Sequence, residues 1–258
     1  MKFITIGYGF VGKAVTAALE THHEVKIYDP ALGYDEEIDV NADGFIICVA
    51  TPEKDDGRCD ATTVIEYVNK ITIANVNARI LIKSTTDLLA LECCQAININ
   101  TTFSPEFLRG SIGVDPTQEF MTQEFAIYGG HDGRWWDTIF SAIIPYTDVR
   151  FLDIQSAGFL KYAENSFLAL KVTFFNELKD LYDKTHGTSY DAMIEALALD
   201  KRIGYSHTQV PGPDGKYGFG GHCLPKDTSE FTGLAKEIHC NLKLLELARE
   251  LNEKFRKR

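Results

Sequence analysis

The chain has 258 residues, 45% hydrophobic and 24% charged, with a formal net charge of −11. That length carries a full core with room for two domains, and the composition is that of an ordinary soluble globular protein. The negative balance argues against nucleic acid and anionic membrane surfaces as partners, but a phosphorylated ligand could still be held by local backbone amides.

The first six residues run straight into a glycine motif, so they read as a strand and not as a signal peptide. No apolar run reaches membrane-spanning length. The six cysteines (Cys48, Cys59, Cys93, Cys94, Cys223 and Cys240) form no CxxC pair, which argues against a zinc site. They suit a reducing cytosol with thiols free, and the expected location is cytoplasmic. Cys93 and Cys94, adjacent in an expected helix, read as packing residues.

Strands are expected at 3–7, 24–28, 44–49, 78–83, 101–104, 125–129 and 149–152. Helices are expected between them at 11–20, 61–73, 88–97 and 133–144. Such alternation predicts an α/β, Rossmann-type doubly wound parallel sheet with helices on both faces, here over residues 1–153. The pattern then changes. Residues 158–185 read as one long helix and 190–199 as a second. A stretch dense in Gly and Pro follows at 203–222, and loops of that length are usually functional or disordered. Helices at 228–238 and 242–255 complete an all-helical domain over 154–258.

Gly7-Tyr8-Gly9-Phe10-Val11-Gly12 fits G-x-G-x-x-G in the context the motif requires, after a strand and opening a helix. Gly7 permits the tight turn, Gly9 admits a pyrophosphate, and Gly12 lets helix and strand pack closely. Phe10 and Val11 complete the cofactor-facing turn. Asp29 ends the second strand, where a carboxylate binds a ribose 2′-hydroxyl and repels a 2′-phosphate; no Arg flanks it. NAD is therefore expected over NADP. Ligands of open α/β sheets sit outside the carboxyl ends of strands, which places Thr51, Pro52, Ser84 and Thr85 near cofactor or substrate. The plain alternative for the hydroxyl residues is a helix N-cap, and for Ser84 it weighs equally.

The segment Tyr217-Gly218-Phe219-Gly220-Gly221-His222-Cys223-Leu224-Pro225-Lys226-Asp227 carries the sharpest signal. Its glycines let backbone approach a ligand, and Pro225 offers a helix start. A thiol near helix amides and Lys226 is favoured as thiolate, the reactive form. Earlier in the chain, Lys161 and Asn165 stand one helical turn apart and share a face, where they could hold a substrate hydroxyl.

These pieces resemble the nucleotide-sugar 6-dehydrogenase family. The matching runs are GYGFVG, CVATP, KSTT, SPEFLRG (104–110), KYAENSFLALK (161–171), DKRIG (200–204) and YGFGGHCLPKD, in the family's order. The resemblance implies a four-electron oxidation of a sugar C6 primary alcohol to a uronic acid with NAD. In that chemistry Cys223 captures the aldehyde as a thiohemiacetal, which is oxidised to a thioester and hydrolysed. It further implies that Lys161 shuttles protons and stabilises the oxyanion beside Asn165. Asp227 and Thr85 would help activate water, and Glu106 would serve hydrolysis. Phe107, Leu108 and Arg109 would line the sugar and phosphate path, and Phe219, Gly220 and Gly221 would pack on the sugar. Arg202 would reach a neighbouring subunit of a homodimer built through the long helix.

The family normally continues into a second Rossmann-like domain that binds the sugar's nucleotide, which these residues do not include; a second chain could complete the site. Where the family commonly reads F-L-R-E-G, this chain has Phe107-Leu108-Arg109-Gly110. Two other functions fit the residues less fully. One is a two-electron β-hydroxyacid-type dehydrogenase, which shares G-x-x-K-x-x-x-N but needs no cysteine. The other is a non-catalytic NAD-binding remnant.

Overall fold

The structure, a computed structural model, describes residues 1–108, 115–185, 187 and 189–258. These divide into two compact units, Met1–Pro52 with Cys59–Lys161, and Glu53–Arg58 with Tyr162–Arg258. The division falls between Lys161 and Tyr162, not at 153/154, and the short segment Glu53–Arg58 goes with the second unit.

The first unit is a seven-stranded sheet in the order β2-β1-β3-β4-β5-β6-β7. Its strands are β1 (Lys2–Ile6), β2 (Glu24–Tyr28), β3 (Gly44–Ile47), β4 (Ile80–Ile82), β5 (Thr101–Phe103), β6 (Phe125–Gly130) and β7 (Asp148–Leu152). The inner strands β3 and β4 are buried along their whole length, as apolar runs covered on both faces must be. Helices α1 (Phe10–Glu20), α2 (Thr62–Ala74), α3 (Leu88–Ile97), α4 (Pro116–Met121) and α5 (Gly133–Phe140) connect them. On one face α2 and α3 pack Val64, Val68, Leu91 and Cys94 against Ile4, Phe45, Ile80 and Phe103. On the other, α1, α4 and α5 pack Val15, Leu19, Phe120 and Trp136 against Phe3, Ile46, Leu81 and Tyr128.

The sheet is mixed and not wholly parallel, because β6 pairs antiparallel with β5. A parallel return needs a crossover long enough to carry the chain back along the sheet. Among the described residues between these strands the only helix is α4, a Pro116-led turn that the sequence pattern did not reveal. Strand β6 instead starts at the end of the sheet where β5 stops. The neighbouring thiols also differ: Cys94 is buried in the core, whereas Cys93 is exposed.

The helix α6 (Ile154–Tyr182) begins in the first unit and continues into the second. The second unit adds α7 (Tyr190–Leu197), α8 (Cys223–Glu237) and α9 (Lys243–Phe255). Phe175 of α6, Tyr190 and Ile194 of α7 and Val210 form a small core. Tyr162 stacks on Phe231 of α8 at 5.9 Å. Glu53–Arg58 is pinned to α8 by Arg58, whose guanidinium donates to both oxygens of Glu230 at 2.9 and 2.8 Å. Among the described residues no helix is long and apolar enough to cross a membrane.

Candidate active site

In the first unit, the glycine turn leaves β1 and enters α1. Gly7 has φ +89, and a Cβ there would lie 2.8 Å from the backbone of Cys48 and Val49, so only glycine lets β1 turn against the end of β3. At Gly12 a Cβ would come within 2.0 Å of the Gly7 carbonyl oxygen. Gly9 is different, because a Cβ there meets nothing within 4 Å. Gly9 is also the N-cap of α1 and gives it no side-chain cap. Open space in front of uncapped amides, including those of Phe10 and Val11, is what a pyrophosphate requires. The Asp29 carboxylate accepts the Tyr8 N–H at 2.7 Å through one oxygen, so it is held beside the same turn. These residues fit a dinucleotide.

The next strand ends are bound to one another. Thr51 donates its hydroxyl to the Thr85 carbonyl at 2.6 Å, and Ser84 donates to the Val49 carbonyl at 2.7 Å. Neither caps a helix; Asp87 caps α3 instead. Pro52 is exposed where the first unit gives way to Glu53. Cys48, between these ends, has its thiol pushed up to about 12 by burial, so it stays protonated.

Glu106 is buried against Lys83, with Oε2 3.1 Å from Nζ. Its other oxygen accepts the backbone N–H groups of Phe107 and Leu108 at 2.8 and 3.1 Å and the Gln123 amide at 2.7 Å. The carboxylate is thus occupied in shaping the turn at Phe107 and Leu108. Arg109 lies outside the described residues. The Lys161 ammonium, on a residue only 8% exposed, sits 4.9 Å from the Phe107 ring centroid.

In the second unit, α8 starts at Cys223, five residues earlier than the pattern of apolar positions predicts. Pro225 falls in the first turn, where its missing N–H costs no bond. The N-cap His222 supplies no side-chain cap, and Cys223 is exposed at the first helical position. A thiolate there meets the positive end of the helix. One turn on, Asp227 is 1% exposed; Lys226 lies 2.7 Å from one of its oxygens, and Asn165 donates to the other at 2.5 Å. Arg202 pairs with Asp200 at 2.6 Å on an exposed loop, its side chain 89% accessible.

Residues expected on the sugar are divided. Phe219 is buried, its backbone bonded to Asn252 of α9. Gly220 is covered by the Arg256 guanidinium, 2.8 Å from where a Cβ would stand. Gly221, at φ +74, has nothing within 4 Å of a Cβ position and faces open space. Sequence reasoning missed Lys83, Arg58, Asn176 and Asn252. Asn252 did leave a signal. It occupies the apolar stripe Leu245, Ala248, Phe255 of α9, where a polar residue must find buried partners. Among the described residues no group of three or more His, Cys, Asp or Glu could hold a metal ion.

Residues 155–254 match the family model described as UDP-glucose/GDP-mannose dehydrogenase family, central domain. A UDP-glucose 6-dehydrogenase of Rickettsia bellii is 32% identical over 247 residues, covering 91% of this chain and 53% of the relative. This chain is similar to the nucleotide-sugar 6-dehydrogenases. It spans about half the length of the curated relatives it matches. Among solved structures, a UDP-glucose dehydrogenase from Pyrobaculum islandicum superposes with a TM-score of 0.80 at 23% identity, covering 98% of this chain and 68% of that one. A 3-hydroxyisobutyrate dehydrogenase of Mycobacterium tuberculosis superposes with a TM-score of 0.72 at 17% identity, covering 98% and 93%. At these identities both establish the fold. The fold is an α/β Rossmann-type sheet followed by a helical region.

Proposed function

We propose that this chain performs the NAD-dependent four-electron oxidation of a nucleotide sugar's C6 alcohol to a uronic acid, as a cytoplasmic enzyme. The observation that carries this function is Cys223, an exposed thiol at the first position of α8, one turn from the buried Asp227–Asn165 pair. A two-electron alcohol oxidation has no use for such a thiol.

Bound NAD would accept a hydride in each of the two oxidations. Gly9 and the first amides of α1 would hold its pyrophosphate, and Asp29 a ribose hydroxyl. The chain's own groups do the rest. Lys161 takes the C6 hydroxyl proton as the first hydride leaves, giving an aldehyde. The Cys223 sulfur adds to the aldehyde carbon, and the resulting oxygen takes up a proton. Loss of that proton with the second hydride leaves a thioester. Water attacks the thioester carbon, the C–S bond breaks, and the sulfur leaves as thiolate. Lys161 and Asn165 stabilise the oxyanions formed on the way, and Asp227 orients the water. With its carboxylate shared between Lys83 and the turn it shapes, Glu106 serves hydrolysis by holding Phe107 and Leu108 in place. We assign Phe107 and Leu108 of the sheet unit, and Gly221 of the helical unit, to the substrate.

A homodimer is supported by α6. Phe167, Phe174 and Leu181 recur every seven residues on it and are 63%, 57% and 63% exposed. Water contact on three such side chains is costly, and a second copy of the helix would remove it. Arg202, unburied and paired only locally, is the residue we assign to the neighbouring subunit's site. The two-electron alternative keeps one supporting observation, the 93% coverage of a β-hydroxyacid-type enzyme. A panel of nucleotide sugars with NAD separates the readings. Turnover lost in Cys223→Ser supports the thioester route; turnover indifferent to that change, or none on any sugar, sinks it.

A further inference from the structure

The Cys223 loop approaches α8 through Gly218, Phe219, Gly220 and Gly221, and two of these glycines have φ near +75. Free in solution, such a run would sample many conformations. Here it is gripped by two buried asparagines. Asn252 of α9 accepts the Phe219 N–H at 2.7 Å and donates to the Phe219 carbonyl at 2.9 Å, satisfying both backbone groups of one residue. Asn176 of α6 accepts the Gly218 N–H at 2.9 Å while donating to the Val172 carbonyl at 2.8 Å. The two are 8% and 1% exposed. A Cβ at Gly218 would stand 2.3 Å from the Asn252 oxygen, so the glycine and the asparagine fit each other. Phe219, 3% exposed, is the plug that this grip holds in the core.

The structure assigns Asn252 and Asn176 as positioning residues that set the backbone of the Cys223 loop and so hold the thiol at the first turn of α8. They act through the loop and touch no reacting atom. An amide side chain suits the task because it offers an acceptor and a donor side by side, matching the N–H and C=O of a single residue. The assignment rests on Cys223 being the nucleophile, but its test needs no sugar.

The test is alkylation of the thiols by iodoacetamide, followed by peptide-resolved mass spectrometry over a range of pH. Cys93 and Cys240, both exposed, are internal standards. In Asn252→Ala, Cys223 should react roughly two- to fivefold more slowly at neutral pH, the scale of a helix-terminus charge effect, with its midpoint moved up. Cys93 and Cys240 should not change, and melting should stay cooperative. Should that variant not fold, Asn252→Asp keeps the volume and the Phe219 N–H acceptor but sets a charged oxygen against the Phe219 carbonyl; its Cys223 rate should also fall. A Cys223 rate and midpoint equal to the parent's in either folded variant overturns the assignment. A chain that oxidises no nucleotide sugar yet shows the Cys223 effect would sink the proposed function and leave the positioning role standing.

Discussion

At the scale of single residues, the three motif glycines do different work although they look alike in sequence. Gly7 and Gly12 are steric necessities, and Gly9 is open room. Gly12→Ala must displace the Gly7 carbonyl, because the new methyl would stand 2.0 Å from it. We expect this variant to bind NAD at least tenfold more weakly (about 1.4 kcal/mol) by titration calorimetry; an unchanged dissociation constant would contradict the role given to the turn. The tight turn at Gly7 and Gly12 was legible because its signal is local. Glu106 was not. Its role depends on Lys83, and nothing in the residues flanking either one announces that pairing. The same holds for Phe219, which reads as a ligand-facing aromatic until α9 is seen to close over it.

Among the elements, strand and helix positions followed from hydrophobic period and glycine punctuation, and β2 and α3 match their expected bounds. Two features escaped. The antiparallel entry of β6 depends on where α4 delivers the chain, which periodicity does not encode. Helix α8 starts ahead of its apolar pattern, because its first turn, Cys-Leu-Pro-Lys-Asp, has no apolar rhythm and begins without a side-chain cap. The pinning of Glu53–Arg58 to α8 was also invisible, since Arg58 and Glu230 are 172 residues apart in sequence. Glu230 is 1% exposed, so Arg58→Ala would take two charge-assisted hydrogen bonds from a buried carboxylate. Urea denaturation should show a loss of about 3 kcal/mol, whereas a loss near zero would mean the pair contributes no net stability.

At the scale of the whole molecule, the sheet unit carries the glycine turn between β1 and α1, and the helical unit carries an exposed thiol at the start of α8. The seven-residue recurrence of Phe167, Phe174 and Leu181 predicts a dimer in solution. Sedimentation should find the parent as a dimer and a Phe167→Glu/Phe174→Glu variant as a monomer; a monomeric parent would contradict the assignment of α6 to self-association. The central claim is that Cys223 links two successive oxidations of one carbon. Its most direct test is the amount of NADH formed per molecule of nucleotide sugar consumed, followed at 340 nm to completion. The account predicts two NADH per sugar with a uronic acid as product. One NADH per sugar, with the aldehyde or another two-electron product released, would contradict it.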